Sequence, residues 1–176
     1  MNQSRVVLGV SGGIAAYKTP QLVRDLKEQG ADVRVVLTES AQHFVTPLAL
    51  QTVSEFPVAT ELLDAKQEST MGHIDLARWA DQVLIAPATA NTIAQLAHGH
   101  ANDLLSTLCL ATKAPITLAP AMNTDMWQHP LTQKNMTILK SLGITVLNPD
   151  HGMLACGETG PGRMMDTERI ANLLLS

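Results

Sequence analysis

Short runs of consecutive apolar residues alternate along this chain with longer stretches in which apolar positions recur three or four apart. The first run, residues 5–10 (Arg5-Val6-Val7-Leu8-Gly9-Val10), reads as a buried strand. Residues 14–29 carry Leu22, Val23 and Leu26 on one face and meet a stop at Gly30, the pattern of an amphipathic helix. Residues 32–37 read as a second strand, followed by two short helical pieces at 39–44 and, after Thr46-Pro47, at 48–53. A helix at 74–80 leads into a third strand at 82–86 and a helix at 89–97. Then come a helix at 103–111, a fourth strand at 116–118, a helix at 131–142 ending at Gly143, a fifth strand at 144–147 and a last helix at 167–175.

Strands that are apolar along their whole length must be covered on both faces. Their alternation with helices predicts an α/β domain: one doubly wound parallel sheet, Rossmann-like or flavodoxin-like, with helices on both faces. No repeat, low-complexity tract or internal linker interrupts the pattern, so the 176 residues are expected to form one domain. Ligands of such sheets bind outside the carboxyl ends of the strands. That rule selects the loops 11–15, 38–40, 87–91 and 119–123, which are rich in small and hydroxylated residues.

Hydrophobic residues make up 45% of the chain but aromatics only 3%, so the core must be aliphatic. The net charge of -4, with no clustered basic residues, excludes a nucleic-acid footprint. No apolar run approaches the length of a membrane span, and the run at 6–10 is too short for the apolar region of a signal peptide. Two cysteines in unlike contexts do not make a disulfide framework. A reducing, cytoplasmic setting is expected, with no membrane or nucleic-acid partner.

Several segments carry candidate chemistry. Ala155-Cys156-Gly157-Glu158-Thr159-Gly160-Pro161-Gly162-Arg163-Met164 is expected to be a loop, for it has almost no bulk with which to build a core. Cys109, in Leu108-Cys109-Leu110, reads as a core residue, whereas Cys156 is either a reactive thiol or an incidental small residue. Ser11, Gly12, Gly13 and Ile14 join a strand to a helix, where backbone N–H groups suit a phosphate. Ser11 would equally serve as a helix cap there. The spacing is neither a dinucleotide fingerprint nor a Walker loop. Thr89 in Ala86-Pro87-Ala88-Thr89-Ala90 is a cap or a ligand contact, and so are Asn102, Asp103 and Ser106 before the helix at 103–111. His73 at a helix start can act as acid or base at neutral pH, or simply be solvated. Asn123 in Pro120-Ala121-Met122-Asn123 is a cap or a holder of a carboxylate or amide. His98 and His100 are only two apart, so no metal site is expected.

Taken together, Ser11 to Lys18, Met71-Gly72-His73-Ile74, Ala86 to Ala90, Ala101-Asn102-Asp103-Leu104, Pro120 to Asn123 and the Cys156 segment are far more specific than any one of them. Over nearly the whole length the chain resembles the homo-oligomeric flavin-containing cysteine decarboxylases. The match is best to the branch acting on phosphopantothenoylcysteine, found as the N-terminal half of bifunctional coenzyme A biosynthesis proteins. The resemblance implies FMN as cofactor, with Ser11, Gly12, Gly13, Ile14, Thr38, Ser40, Thr89, Asn102, Asp103 and Ser106 in flavin-contacting stretches. It implies that His73 is an essential histidine, that Asn123 with its neighbour Met122 holds the substrate carboxylate, and that Cys156 is the thiol of a substrate-covering loop. Arg163 is assigned to a substrate anion, or to holding that loop, on its charge alone.

The implied reaction converts 4'-phosphopantothenoyl-L-cysteine to 4'-phosphopantetheine and CO2. Oxidation to a thioaldehyde places an electron sink β to the carboxylate, CO2 leaves, and the ene-thiol is reduced again with a proton from Cys156. The implied assembly is a homotrimer, built up to a dodecamer of four trimers, with a fused or separate phosphopantothenate-cysteine ligase as partner. Three alternatives belong to the same family. A peptidyl-cysteine decarboxylase stops at the ene-thiol and lacks the reducing cysteine. A flavin prenyltransferase gives no reason for His73, Asn123 and Cys156 to occur together. A non-catalytic flavin-binding regulatory protein often carries an acidic tail or has lost these residues.

Overall fold

The computed structural model describes residues 3–62 and 72–176; Met71 of the histidine motif lies outside them. Strand β1 (Ser4–Val10) pairs in parallel with β2 (Ala31–Leu37) on one side and β3 (Gln82–Ala88) on the other. Strands β4 (Ile116–Pro120) and β5 (Thr145–Val146) extend the sheet, giving the order β2-β1-β3-β4-β5. That is the flavodoxin-like order, one of the two doubly wound arrangements the alternation allowed.

The period-two alternation of side chains splits the strands between two aliphatic layers. Val6, Leu8 and Val10 of β1 join Val33, Val35 and Leu37 of β2 in one layer, under α1 (Thr19–Glu28), α2 (Pro47–Ser54) and α8 (Thr167–Leu175). Val7, Val36, Val83 and Ile85 face the other way. They lie under α3 (His73–Trp79), α4 (Ala90–Ala97), α5 (Leu104–Ala111) and α7 (Pro130–Ser141). The Arg34 guanidinium of β2 lies 4.2 Å from the Trp79 ring at the end of α3, a cation–π contact that ties this helix to the sheet edge.

The departures from the sequence expectation have local causes. The single helix expected at 14–29 is instead a 3-10 turn, Ile14–Lys18, followed by α1. Pro20 lacks an N–H and its ring opposes a carbonyl four residues earlier, so a continuous α-helix cannot run through it. Thr19 Oγ1 donates to the Ala16 carbonyl at 2.7 Å and closes the joint. Strand β3 runs two residues past its expected end. A short helix, α6 (Thr124–Gln128), follows Asn123 where none was expected, and β5 keeps only two of four expected residues.

The largest departure concerns the glycine-rich segment. Strands β6 (Asp150–Met153) and β7 (Thr159–Arg163) form an antiparallel ribbon of their own, with Cys156 at its tip. Two glycines in β7 hid it from a propensity reading, because glycine is depleted in strands.

Candidate functional site

The carboxyl ends of β1 to β4 and the β6–β7 ribbon enclose a cavity of about 970 Å³, within the range of cofactor and substrate sites. Of the residues expected at the site, Gly12, Gly13, Ile14, Thr38, Ser40, Thr89, Asp103, Met122, Asn123, Cys156 and Arg163 line it. Ser11, Asn102, Ser106 and His73 do not.

Ser11 is buried behind the cavity wall. Its hydroxyl donates to the Pro87 carbonyl at 2.6 Å and accepts from the Thr89 N–H at 3.0 Å, so it joins the β1 and β3 loops. Ser106 is also buried and closes a reciprocal cap with Asp103. The Ser106 N–H donates to Asp103 Oδ1 at 2.7 Å, and the Asp103 N–H donates to Ser106 Oγ at 3.2 Å. These two hydroxyls therefore shape the wall, and Asp103 lines the cavity. Asn102 is exposed beside it. His73 opens α3, half-buried, among the helices of the second layer.

At several positions a capping role and a ligand role turn out to be compatible. Asn123 Oδ1 accepts the Met126 N–H at 2.9 Å and caps α6. That bond fixes the amide orientation and leaves the two Nδ2 protons of a cavity-lining residue available for a carboxylate. Thr89 caps α4 by accepting from the Thr92 N–H at 3.2 Å while lining the same cavity. Thr38 and Ser40 hydroxyls lie 3.3 Å apart at the end of β2. A Cβ on Gly12 would overlap the Ser40 side chain, so only glycine lets the β1 loop approach β2 this closely. The cavity thus offers uncharged hydroxyl and backbone donors at the β1/β3 switch point, a donor set that fits a flavin mononucleotide.

The ribbon is held over this cavity through its glycines. The Met122 N–H donates to the Gly162 carbonyl at 2.9 Å, and Gly162 has φ +136°. Cβ atoms on Gly160 and Gly162 would overlap Thr124 and the Met122 carbonyl respectively. The ribbon therefore lies flat against the β4–α6 junction, which brings the Cys156 tip and Asn123 to one cavity. Cys156 is exposed, and its Sγ–H donates to Glu158 Oε2 at 3.7 Å.

The second thiol is in a different state. Cys109 packs partly buried against the second layer, and burial, with the Asp103 carboxylate adding to it, pushes its thiol up to about 12. The native protein is expected to take up one equivalent of iodoacetamide at pH 8, all of it at Cys156. Peptide mapping reads this, and equal labelling of Cys109 would contradict the assignment.

Lys18 and Tyr17 also line the cavity, although no role was read for them in the sequence. The available signal was Pro20, which breaks the helix just after them and so turns this segment toward the strand ends.

Comparison with known proteins puts this geometry in context. The Flavoprotein family model matches residues 1–176. The coenzyme A biosynthesis bifunctional protein CoaBC of Escherichia coli (strain K12) is 55% identical over 172 residues, which cover 98% of this chain and 42% of that protein. The chain thus spans less than half the length of that relative. Among solved structures, a cysteine-to-serine mutant of PPC decarboxylase complexed with pantothenoylaminoethenethiol superposes with a TM-score of 0.87 at 36% identity, covering 98% of this chain and 97% of that one. The FMN binding protein AtHal3 gives a TM-score of 0.83 at 36% identity, covering 98% and 95%.

Proposed function

The chain belongs to the Flavoprotein family, and from that membership we propose that it is an FMN-dependent decarboxylase converting 4'-phosphopantothenoyl-L-cysteine to 4'-phosphopantetheine and CO2 in coenzyme A biosynthesis. The observation that carries this reading is the single cavity in which a ribbon-borne thiol, Cys156, meets the Asn123 amide and the hydroxyl-bearing strand ends. Gly12, Gly13, Ser40 and Thr89 are the residues that would hold FMN. When bound, FMN supplies a two-electron acceptor and donor for a decarboxylation that is redox-neutral overall.

The protein's own groups do the rest. The Asn123 Nδ2 protons hold the substrate carboxylate and fix the bond to be broken in line with the electron sink. Loss of CO2 from the thioaldehyde leaves an ene-thiolate. Its carbon that carried the carboxylate takes a proton from Cys156 Sγ, which regenerates a thioaldehyde able to accept two electrons. The exposed Cys156 is reprotonated from water. The ribbon lines one side of the cavity. Cys156 sets this reading apart from a peptidyl-cysteine decarboxylase, which would release the ene-thiol.

His73 serves the proton lost in the oxidation half. Because it stands outside the cavity of its own protomer, we infer that a second copy supplies it, in a trimer that assembles further into a dodecamer. A phosphopantothenate-cysteine ligase, fused or separate, would deliver the substrate. No described helix is long and apolar enough to cross a membrane, and a cytoplasmic location accords with the pathway.

Purified protein reconstituted with FMN is expected to be yellow. It should convert 4'-phosphopantothenoylcysteine to CO2 and 4'-phosphopantetheine in equal amounts, with light scattering on the same sample reading a trimer or larger. A colourless protein that takes up no FMN would sink the reading.

A further inference from the structure

We propose that Lys18 and Arg163 together form the subsite that takes the phosphate of the substrate and so set the preference for the phosphorylated over the unphosphorylated cysteine derivative. This inference rests on the decarboxylase reading above.

Lys18 ends the 3-10 turn after β1, Arg163 ends β7, and both line the 970 Å³ cavity. Among the described residues neither makes an ion pair. The ion pairs among the described residues are Arg5–Asp81, Lys27–Glu55 and Arg169–Asp150. The acids whose charge acts on Lys18 are Asp166 and Asp150. The Asp150 carboxylate is already occupied, accepting from Arg169 at 2.7 Å and from the Asp166 N–H at 3.2 Å. Asp166 Oδ1 caps α8 by accepting the Glu168 N–H at 3.1 Å.

Two cations thus line one cavity, and among the described residues neither has an ion-pair partner. Partial burial, and secondarily the Arg163 charge, lower the Lys18 ammonium below its ordinary range. Like charges brought together in a concave wall repel, and a dianion between them removes that repulsion. A planar guanidinium beside a point-charge ammonium suits a phosphate better than a carboxylate. The blander role for Arg163 is packing, since its guanidinium and stem lie over Gly152 on the paired strand. That contact accounts for the stem and leaves the charge unused.

The arrangement also places the anion sensibly. Arg163 follows the Gly162–Met122 bond, one residue from the Asn123 cap, so the ribbon that carries the thiol also carries a phosphate ligand.

The test compares 4'-phosphopantothenoylcysteine with pantothenoylcysteine on the FMN-loaded protein, its Lys18→Gln and Arg163→Gln variants, and Lys18→Arg as a conservative replacement. The parent is expected to favour the phosphorylated substrate. Each neutral variant should lower that preference in kcat/KM about tenfold or more, through KM rather than kcat. Lys18→Arg should restore most of it, and FMN affinity, read by quenching of flavin fluorescence, should stay at the parent value. A preference unchanged in both neutral variants would overturn the inference. So would a loss of FMN affinity, which would assign the pair to the cofactor phosphate. If the parent turns over neither compound, the decarboxylase reading fails. If it turns over both equally, only the subsite fails.

Discussion

Cys156→Ser is expected to keep releasing CO2 from 4'-phosphopantothenoylcysteine while its yield of 4'-phosphopantetheine falls about 10²-fold or more. Cys156 sits at the tip of the β6–β7 ribbon, exposed, with only the Glu158 carboxylate as partner. Nothing packs on it, so the change to serine alters neither the ribbon nor the cavity. It alters the acid, because a hydroxyl is a far weaker proton donor than a thiol. Steps before CO2 loss draw on Asn123 and on His73 and should proceed. The ene-thiolate then meets no proton at the carbon that lost CO2, and a product two hydrogens lighter than 4'-phosphopantetheine accumulates. Mass spectrometry of the products beside a CO2 assay distinguishes the two outcomes. A normal yield of saturated product from Cys156→Ser would remove the thiol from the mechanism.

Gly162→Ala is expected to cost about 10²-fold in turnover while FMN stays bound, although no atom of residue 162 takes part in the chemistry. At φ +136° an alanine is strained by about 1–3 kcal/mol. Its Cβ would also overlap the Met122 carbonyl, which is backbone and cannot rotate away. The ribbon must lift from the β4–α6 junction, separating Cys156 and Arg163 from Asn123. The β1, β2 and β3 ends that would hold FMN are untouched. Gly157→Ala is the contrast. Its φ is +87°, but nothing lies within 4 Å of the added Cβ, so only the cost of a left-handed alanine, about 1–2 kcal/mol, applies. Turnover of both variants, with flavin content and circular dichroism as controls, tests the point. Turnover of Gly162→Ala within a few-fold of the parent would show that docking of the ribbon does not place the thiol.

The sheet and its helices were legible because their signal is local. Apolar runs such as 6–10 and 33–37 can only be buried strands, and Leu22, Val23 and Leu26 can only face a sheet. The strand-end loops were legible for a topological reason, since a parallel sheet has one functional edge. The sequence left open whether Ser11 and Ser106 contact a cofactor, because a small hydroxyl near a ligand loop looks the same whether it faces the ligand or braces the wall. Only the bonds to Pro87, Thr89 and Asp103 distinguish the two. At Asn123 and Thr89 the choice between cap and ligand dissolved, because each side chain has more bonding positions than the cap consumes.

By itself, the sequence determined the fold class, the edge at which a ligand binds and the residue types that gather there. Each of these follows from short-range periodicity and from the composition of single loops. The tertiary structure decided which of those residues share one cavity. It turned a glycine-rich segment into a ribbon, because Gly160 and Gly162 let β7 lie against Thr124 and Met122 with no side chain between. It aimed Lys18 and Arg163 at the same space, left His73 outside it, and spent Ser11 and Ser106 on the wall. Those outcomes depend on contacts between residues dozens of positions apart, such as Ser11 with Pro87 and Gly162 with Met122, and no local pattern encodes such contacts.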